Sequence, residues 1–211
     1  MIGRIAHYVV GDGKWLIEYG CVSWRSIISF PCKMSSERYQ GPEAGSMSAE
    51  QARIYADIAS TRTTGVKGPF KAWLGAPAIA DQAQKLGQVV RYELETITRR
   101  ETEMVILMTA IRYKCRTEYD IHRAEALKAG LSEQAVDSLH HPFHEPALTS
   151  ERELVVHGFA GCVLRDSASV PDDVYAASER ALGPQALVEL TSLIGMCIHA
   201  ATHILPVLLR H

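Results

Sequence analysis

Cys115, Glu118 and His122 stand at i, i+3 and i+7 in the stretch EMVILMTAIRYKCRTEYDIHRAEALKAGL, which runs from Glu103 to Leu131. On a helix these steps return to one face, so a thiol, a carboxylate and an imidazole converge within side-chain reach. Glu103, twelve residues before Cys115, reaches the same place if a turn lets two helices fold against each other. Such a set can transfer protons or deliver a nucleophile. A plainer reading stands beside it. Glu and His at i, i+4 also form ordinary surface pairs, and a Cys in an apolar helix is often a small core residue.

Other residues offer weaker chemistry. His140, His141, His144 and Glu145 make a His-rich segment whose imidazoles could ligate a metal, but Pro142 and Pro146 mark it as a solvated loop. His199 and His203 are i, i+4, yet Ala200 follows His199, so no HExxH pattern exists and core or interface roles fit them better. No metal and no cofactor is expected. No GxxxxGK[ST] occurs, and no GxGxxG opens a helix. Arg99 and Arg100 open a helix, where a cation is electrostatically misplaced, which points to partners elsewhere or to plain solvation.

The elements that must carry these residues fall into three stretches. Ile5–Val10 and Lys14–Trp24 are β-branched and aromatic runs joined by Gly11-Asp12-Gly13, a hairpin pattern, and Ser26–Phe30 reads as a third short strand. Residues 34–47 are polar and Gly-rich and read as a linker. Residues 1–47 are therefore expected to be a β-rich extension and linker. Met34 could serve as a start, so residues 1–33 are expected to lie upstream of the functional fold.

Residues 48–211 read as one all-α domain. Ser48 with Gln51 is a capping box for a helix to about Ser60. Pro69 and Pro77 each suit a helix start. Pro77–Tyr92 carries Ile79, Ala83, Leu86, Val89 and Val90 at helical spacing, and Arg99–Lys114 places Met104, Leu107, Met108 and Ile111 on one side. Arg116–Ala129 stops at Gly130, and Ser132 caps a short helix to about Leu139. Ser150 with Glu153 is a second capping box, for a helix ending near Asp166. Pro171 opens another, and Pro184 opens the last, which is apolar over almost its whole circumference.

Composition bounds the function. The 211 residues are 47% hydrophobic and 22% charged, which fits a globular chain and excludes a disordered or disulfide-scaffold one. Lys+Arg of 22 against Asp+Glu of 24 argues against a nucleic-acid partner. No uninterrupted apolar run has the length of a membrane span, because Glu189, His199 and His203 break Leu187–Leu209. Neither a membrane nor a secretory signal is expected. Five widely spaced cysteines with no CxxC pair favour reduced thiols and a cytoplasmic setting.

The spacing Glu103-x11-Cys115-x2-Glu118-x3-His122, followed by Ala126 to Ser132 (ALKAGLS), resembles the carboxymuconolactone decarboxylase family. The likeness runs upstream through Gly68 to Leu74 and Pro77, Leu86-Gly87 and Arg91-Tyr92. Downstream it takes in Ala186 to Leu190 and Ile194-Gly195, covering about residues 48–205. It implies the helical bundle shared with alkylhydroperoxidase D-like proteins, and homo-oligomers, trimers or hexamers, with the pocket near a subunit boundary.

It also implies decarboxylation of, or proton transfer on, a small carboxylated lactone without a cofactor. His122 would donate or shuttle the proton, with Glu118 and Glu103 orienting or relaying. Arg91 and Arg112 would hold a substrate carboxylate beside Tyr119. Peroxidase members carry a second Cys where Glu118 stands, so a dithiol cycle has no resolving thiol here. The alternative is a single-cysteine, peroxidase-like antioxidant protein using Cys115 with an external thiol. A third is a non-catalytic helical scaffold.

Overall fold

Ser48 and Thr98 each open a helix with reciprocal bonds. The Ser48 hydroxyl accepts from the Gln51 amide and the Gln51 side chain accepts from the Ser48 amide; Thr98 and Glu101 repeat the arrangement. At Ser150 only half of this forms. Its hydroxyl accepts from the Glu153 amide, but the Glu153 carboxylate turns away to Arg100 instead of closing the box.

The computed structural model describes residues 7–10, 14–17, 39, 41–62, 65–140, 146–165 and 169–203. The chain forms two compact units, 1–37 and 38–211. In the first, β1 (His7–Val10) and β2 (Lys14–Ile17) pair antiparallel, with Val10 opposite Lys14. The expected strand at Ser26–Phe30 lies outside the described residues.

The second unit is all-α: α1 Ala49–Thr61, α2 Pro69–Trp73, α3 Pro77–Tyr92, α4 Arg99–Arg112, α5 Arg116–Lys128, α6 Glu133–Ser138, α7 Glu151–Val163, α8 Asp172–Leu182 and α9 Pro184–His203. Helix α4 is central, touching α3, α5, α7 and α9. Every residue from Glu101 to Ala110 is buried. The sequence pattern puts its apolar residues on one side, whereas the helix is enclosed all round. Its polar residues are accommodated by partners: Glu101 pairs with Arg152 at 2.8 Å, and the Thr109 hydroxyl donates to the Val105 carbonyl at 2.9 Å.

Helix α9 has the length and apolarity of a membrane span over Pro184–Thr202. It nevertheless packs on α2, α3, α4, α7 and α8, burying Leu187, Leu190, Leu193 and Ile194 in the core. Its circumference is not wholly covered, since Val188 is 65% exposed. Helix α3 divides likewise: Ala80, Ala83, Gln84 and Val90 face inward, while Ile79, Leu86 and Val89 are exposed.

The α4–α5 corner positions the site. Lys114 adopts φ 54°, its amide donates to Ile111 and the Cys115 amide donates to Ala110. This is a Schellman stop with Lys where Gly is usual, a conformation that costs an L-residue about 1–2 kcal/mol. It lets Cys115 end one helix and cap the next. The same stop recurs after α5, with Gly130 at φ 96° and the Leu131 amide on Ala126.

Candidate functional site

The reversal at Lys114 folds α5 back along α4 and brings Glu103 against His122. The Glu103 carboxylate can only accept, so the Nδ1–H of His122 donates to its Oε2 at 2.6 Å. On the other side of the ring, Nε2 lies 3.3 Å from Glu118 Oε2, the i, i+4 partner on α5. The imidazole is thus held between two carboxylates. Glu103 is fully buried and the His122 side chain nearly so at 5% exposed, whereas that of Glu118 is 19% exposed. The row has an inner and an outer end, and Glu118 is the outer one.

Beyond Glu103 the row continues into Arg99. Its Nη2 stands 2.7 Å from Glu103 Oε1, close in charge but off the hydrogen-bonding direction, and 3.5 Å from Glu125 Oε2. Arg99 also donates to the Arg91 carbonyl at 3.0 Å. Burial works to lower the His122 pKa. The hydrogen bonds to Glu103 and Glu118, with the Glu103 charge, outweigh burial and the opposing Arg91 charge, and hold it above its ordinary value.

Cys115 is buried at the start of α5 and lines a separate cleft of about 310 Å³ with Lys114, Arg116, Tyr119 and His140. Burial raises its thiol pKa. The amides of Thr117 and Glu118 at the helix start pull it back without reversing the direction. Tyr119 meets His140 edge-on at 4.7 Å, and its phenol is pushed up, first of all by burial. Cys197 on α9 feels the Glu118 and Glu103 charges, and burial above all drives its thiol far up. Glu118 and His122 line neither this cleft nor the groove of about 480 Å³ between α3 and α9, walled by Ile79, Leu86, Val89, Met196 and His199.

The residues singled out in the sequence separate accordingly. Glu103, His122 and Glu118 are brought together, and Arg91 lies within electrostatic reach of His122. Cys115 and Tyr119 face the second cleft. The Nε of Arg112 donates to the Leu164 carbonyl at 2.9 Å, where it closes the end of α7. Arg100 holds the buried Glu153 through Nε at 2.6 Å and also bonds the Gly130 carbonyl. His199 stacks on Trp73 at 4.8 Å; the segment 141–145 lies outside the described residues. Among the described residues no three His, Cys, Asp or Glu groups are placed to hold a metal ion.

Arg99, whose misplaced charge at a helix start pointed to a partner elsewhere, supports Glu103. Two further residues escaped the sequence reading. Cys197 adjoins the row from α9. Arg62, after α1, carries no motif, yet its guanidinium is buried beside Tyr92.

No protein-family model matches the chain, and no curated protein does. Among solved structures it is similar to a protein of unknown function from Agrobacterium tumefaciens that has been proposed to be the antioxidant defence protein AhpD. The identity is 21% and the TM-score 0.58, over 69% of this chain and 98% of that one. The helical unit therefore has an AhpD-like, all-α fold.

Proposed function

We propose that this protein is a carboxymuconolactone decarboxylase-like carboxy-lyase, acting on a small carboxylated lactone through a proton relay of its own side chains. The observation that carries the reading is the imidazole of His122 clamped between Glu103 and Glu118. In decarboxylation the bond to the carboxylate carbon breaks, carbon dioxide leaves, and the electron pair stays on the lactone. Conjugation delocalises that pair until a proton arrives. Glu118, the outer carboxylate, delivers the proton; His122 replaces it from Nε2, and Glu103 stabilises the imidazole through Nδ1. The outer carboxylate, rather than the imidazole alone, meets substrate. The family resemblance supports the substrate class, and the AhpD-like fold is compatible with it.

A second reading is a single-cysteine peroxidase. The place of Cys115 in a cleft at a helix start favours it, and its raised pKa opposes it. A screen of carboxylated lactones against organic peroxides, run with His122→Ala in parallel, separates the two. The decarboxylase reading expects lactone turnover that falls by on the order of 10²–10⁴ in the variant. Peroxide turnover that persists in His122→Ala and vanishes in Cys115→Ser would replace it with the second reading.

A further inference from the structure

Tyr92, at the end of α3, is surrounded by three guanidinium groups. The Cζ atoms of Arg62, Arg91 and Arg99 lie 5.6, 5.3 and 5.3 Å from its ring centroid. Only Arg99 has carboxylate partners among the described residues, Glu103 and Glu125. Arg62 is 9% exposed; it donates to the Gln88 side chain at 2.7 Å and to the Gln84 carbonyl at 3.2 Å, and its Nε is buried with no acceptor. The side chain of Arg91 makes neither a hydrogen bond nor an ion pair among the described residues, and its Nε is likewise buried without an acceptor. Glu125 feels the Arg91 charge, but its carboxylate is taken by Lys128 at 2.9 Å and shared with Arg99.

Two like charges side by side, each with a buried donor unused, are unfavourable unless something arrives to pair with them. Burial above all, with the Arg91 charge, draws the Arg62 pKa below its usual range, and contact with Tyr92 partly offsets this. A guanidinium lying over an aromatic ring uses its face for that contact. Arg62 has already given its two terminal nitrogens to Gln88 and Gln84, so the N–H edge left to match a planar carboxylate is that of Arg91, with the Nε of Arg62 beside it. Tyr92 itself is half exposed, so the cluster is open to a ligand. Arg91 is also the cation that acts on His122.

We infer that Arg62 and Arg91, steadied by Tyr92, form a binding site for a ligand carboxylate beside the Glu118–His122–Glu103 relay. The inference deepens the proposed function by naming the groups that hold the anionic substrate. It rests on that reading for the carboxylate as the ligand's chemistry, and not for the existence of the site.

The test is a titration of the full-length protein with succinate, followed through the arginine Nε–H signals in proton–nitrogen NMR spectra. The Arg62 and Arg91 signals are expected to shift saturably with succinate and to stay put with uncharged dimethyl succinate. Arg91→Gln, checked for intact helicity, should weaken binding by about tenfold or more. Absence of a saturable shift in the unmodified protein, or unchanged affinity in Arg91→Gln, overturns the site. Inorganic phosphate binding more tightly than succinate, with the same dependence on Arg91, would overturn the carboxylate assignment. No turnover is needed, so a protein that binds succinate but leaves every lactone intact would defeat the relay reading alone.

Discussion

Glu103 Oε2 lies 2.6 Å from Nδ1 of His122, a contact between residues 19 apart in sequence, on α4 and α5, with both side chains out of solvent. Neither the i, i+4 geometry of α5 nor the burial of α4 creates it alone. The reversal at Lys114 does, by laying the two helices side by side.

That contact makes Glu103→Gln informative. The amide keeps the shape of the carboxylate but loses the charge that holds the imidazole. The His122 pKa is expected to fall, as read from its ring protons by NMR. Lactone turnover should drop by on the order of 10²-fold. An unchanged His122 titration would show that Glu103 does not set its protonation.

Stability should depend on pH with a defined sign. His122 is held above its unfolded value, so the folded protein binds that proton more tightly than the unfolded chain. The resulting stabilisation is complete below about pH 6.5 and is lost as pH rises through the folded pKa. In urea unfolding, the stability gap between the parent and His122→Gln is expected to be widest in the acidic part of this window and to narrow above it. A gap that widens with rising pH would contradict the assignment.

Cys115 should be a slow thiol. It is buried, and its pKa is raised. At neutral pH a chromogenic disulfide reagent is expected to react with it far more slowly in the native than in the unfolded protein. Since Glu118 stands one turn away where a second thiol would resolve an oxidised sulfur, peroxide should produce no intrachain disulfide at Cys115. Peptide mapping after oxidation checks this, and a bridge from Cys115 to Cys162 or Cys197 would refute it.

We further propose that the protein is a homo-oligomer, with the exposed Ile79, Leu86 and Val89 on α3 in the interface. The family resemblance implies trimers or hexamers. Light scattering at low micromolar concentration should give a multiple of 23.3 kDa, and Leu86→Glu should shift the mass toward one chain. A single-chain mass for the parent across the whole range would show the proposal wrong.

Much of this was legible in the sequence because it is local. Ser48, Ser132 and Ser150 hold the helix starts read from the sequence, and α3 follows the predicted Pro77–Tyr92 boundaries. Glu118 and His122 meet because their spacing on one helix requires it. What the pattern missed is non-local. The all-round burial of α4 depends on Arg152 and Arg99, which neutralise Glu101 and Glu103 from other turns and helices. The apolar spacing of α3 does not distinguish the face that meets α9 from the face that meets solvent. Arg62 and Tyr92 are separated by 30 residues and come together only when α1 packs on α3; no periodicity registers such a pair.

The enclosure of α4 has a kinetic meaning. Its backbone amides from Met104 to Ala110 lie within buried residues of an unbroken helix, so their hydrogen exchange should proceed only through global opening. The outer carboxylate, Glu118, sits in the first turn of α5 next to an exposed Arg116, where local fraying suffices. The inner end of the relay is therefore anchored to the slowest-opening part of the molecule, while its outer end can adjust to what it meets.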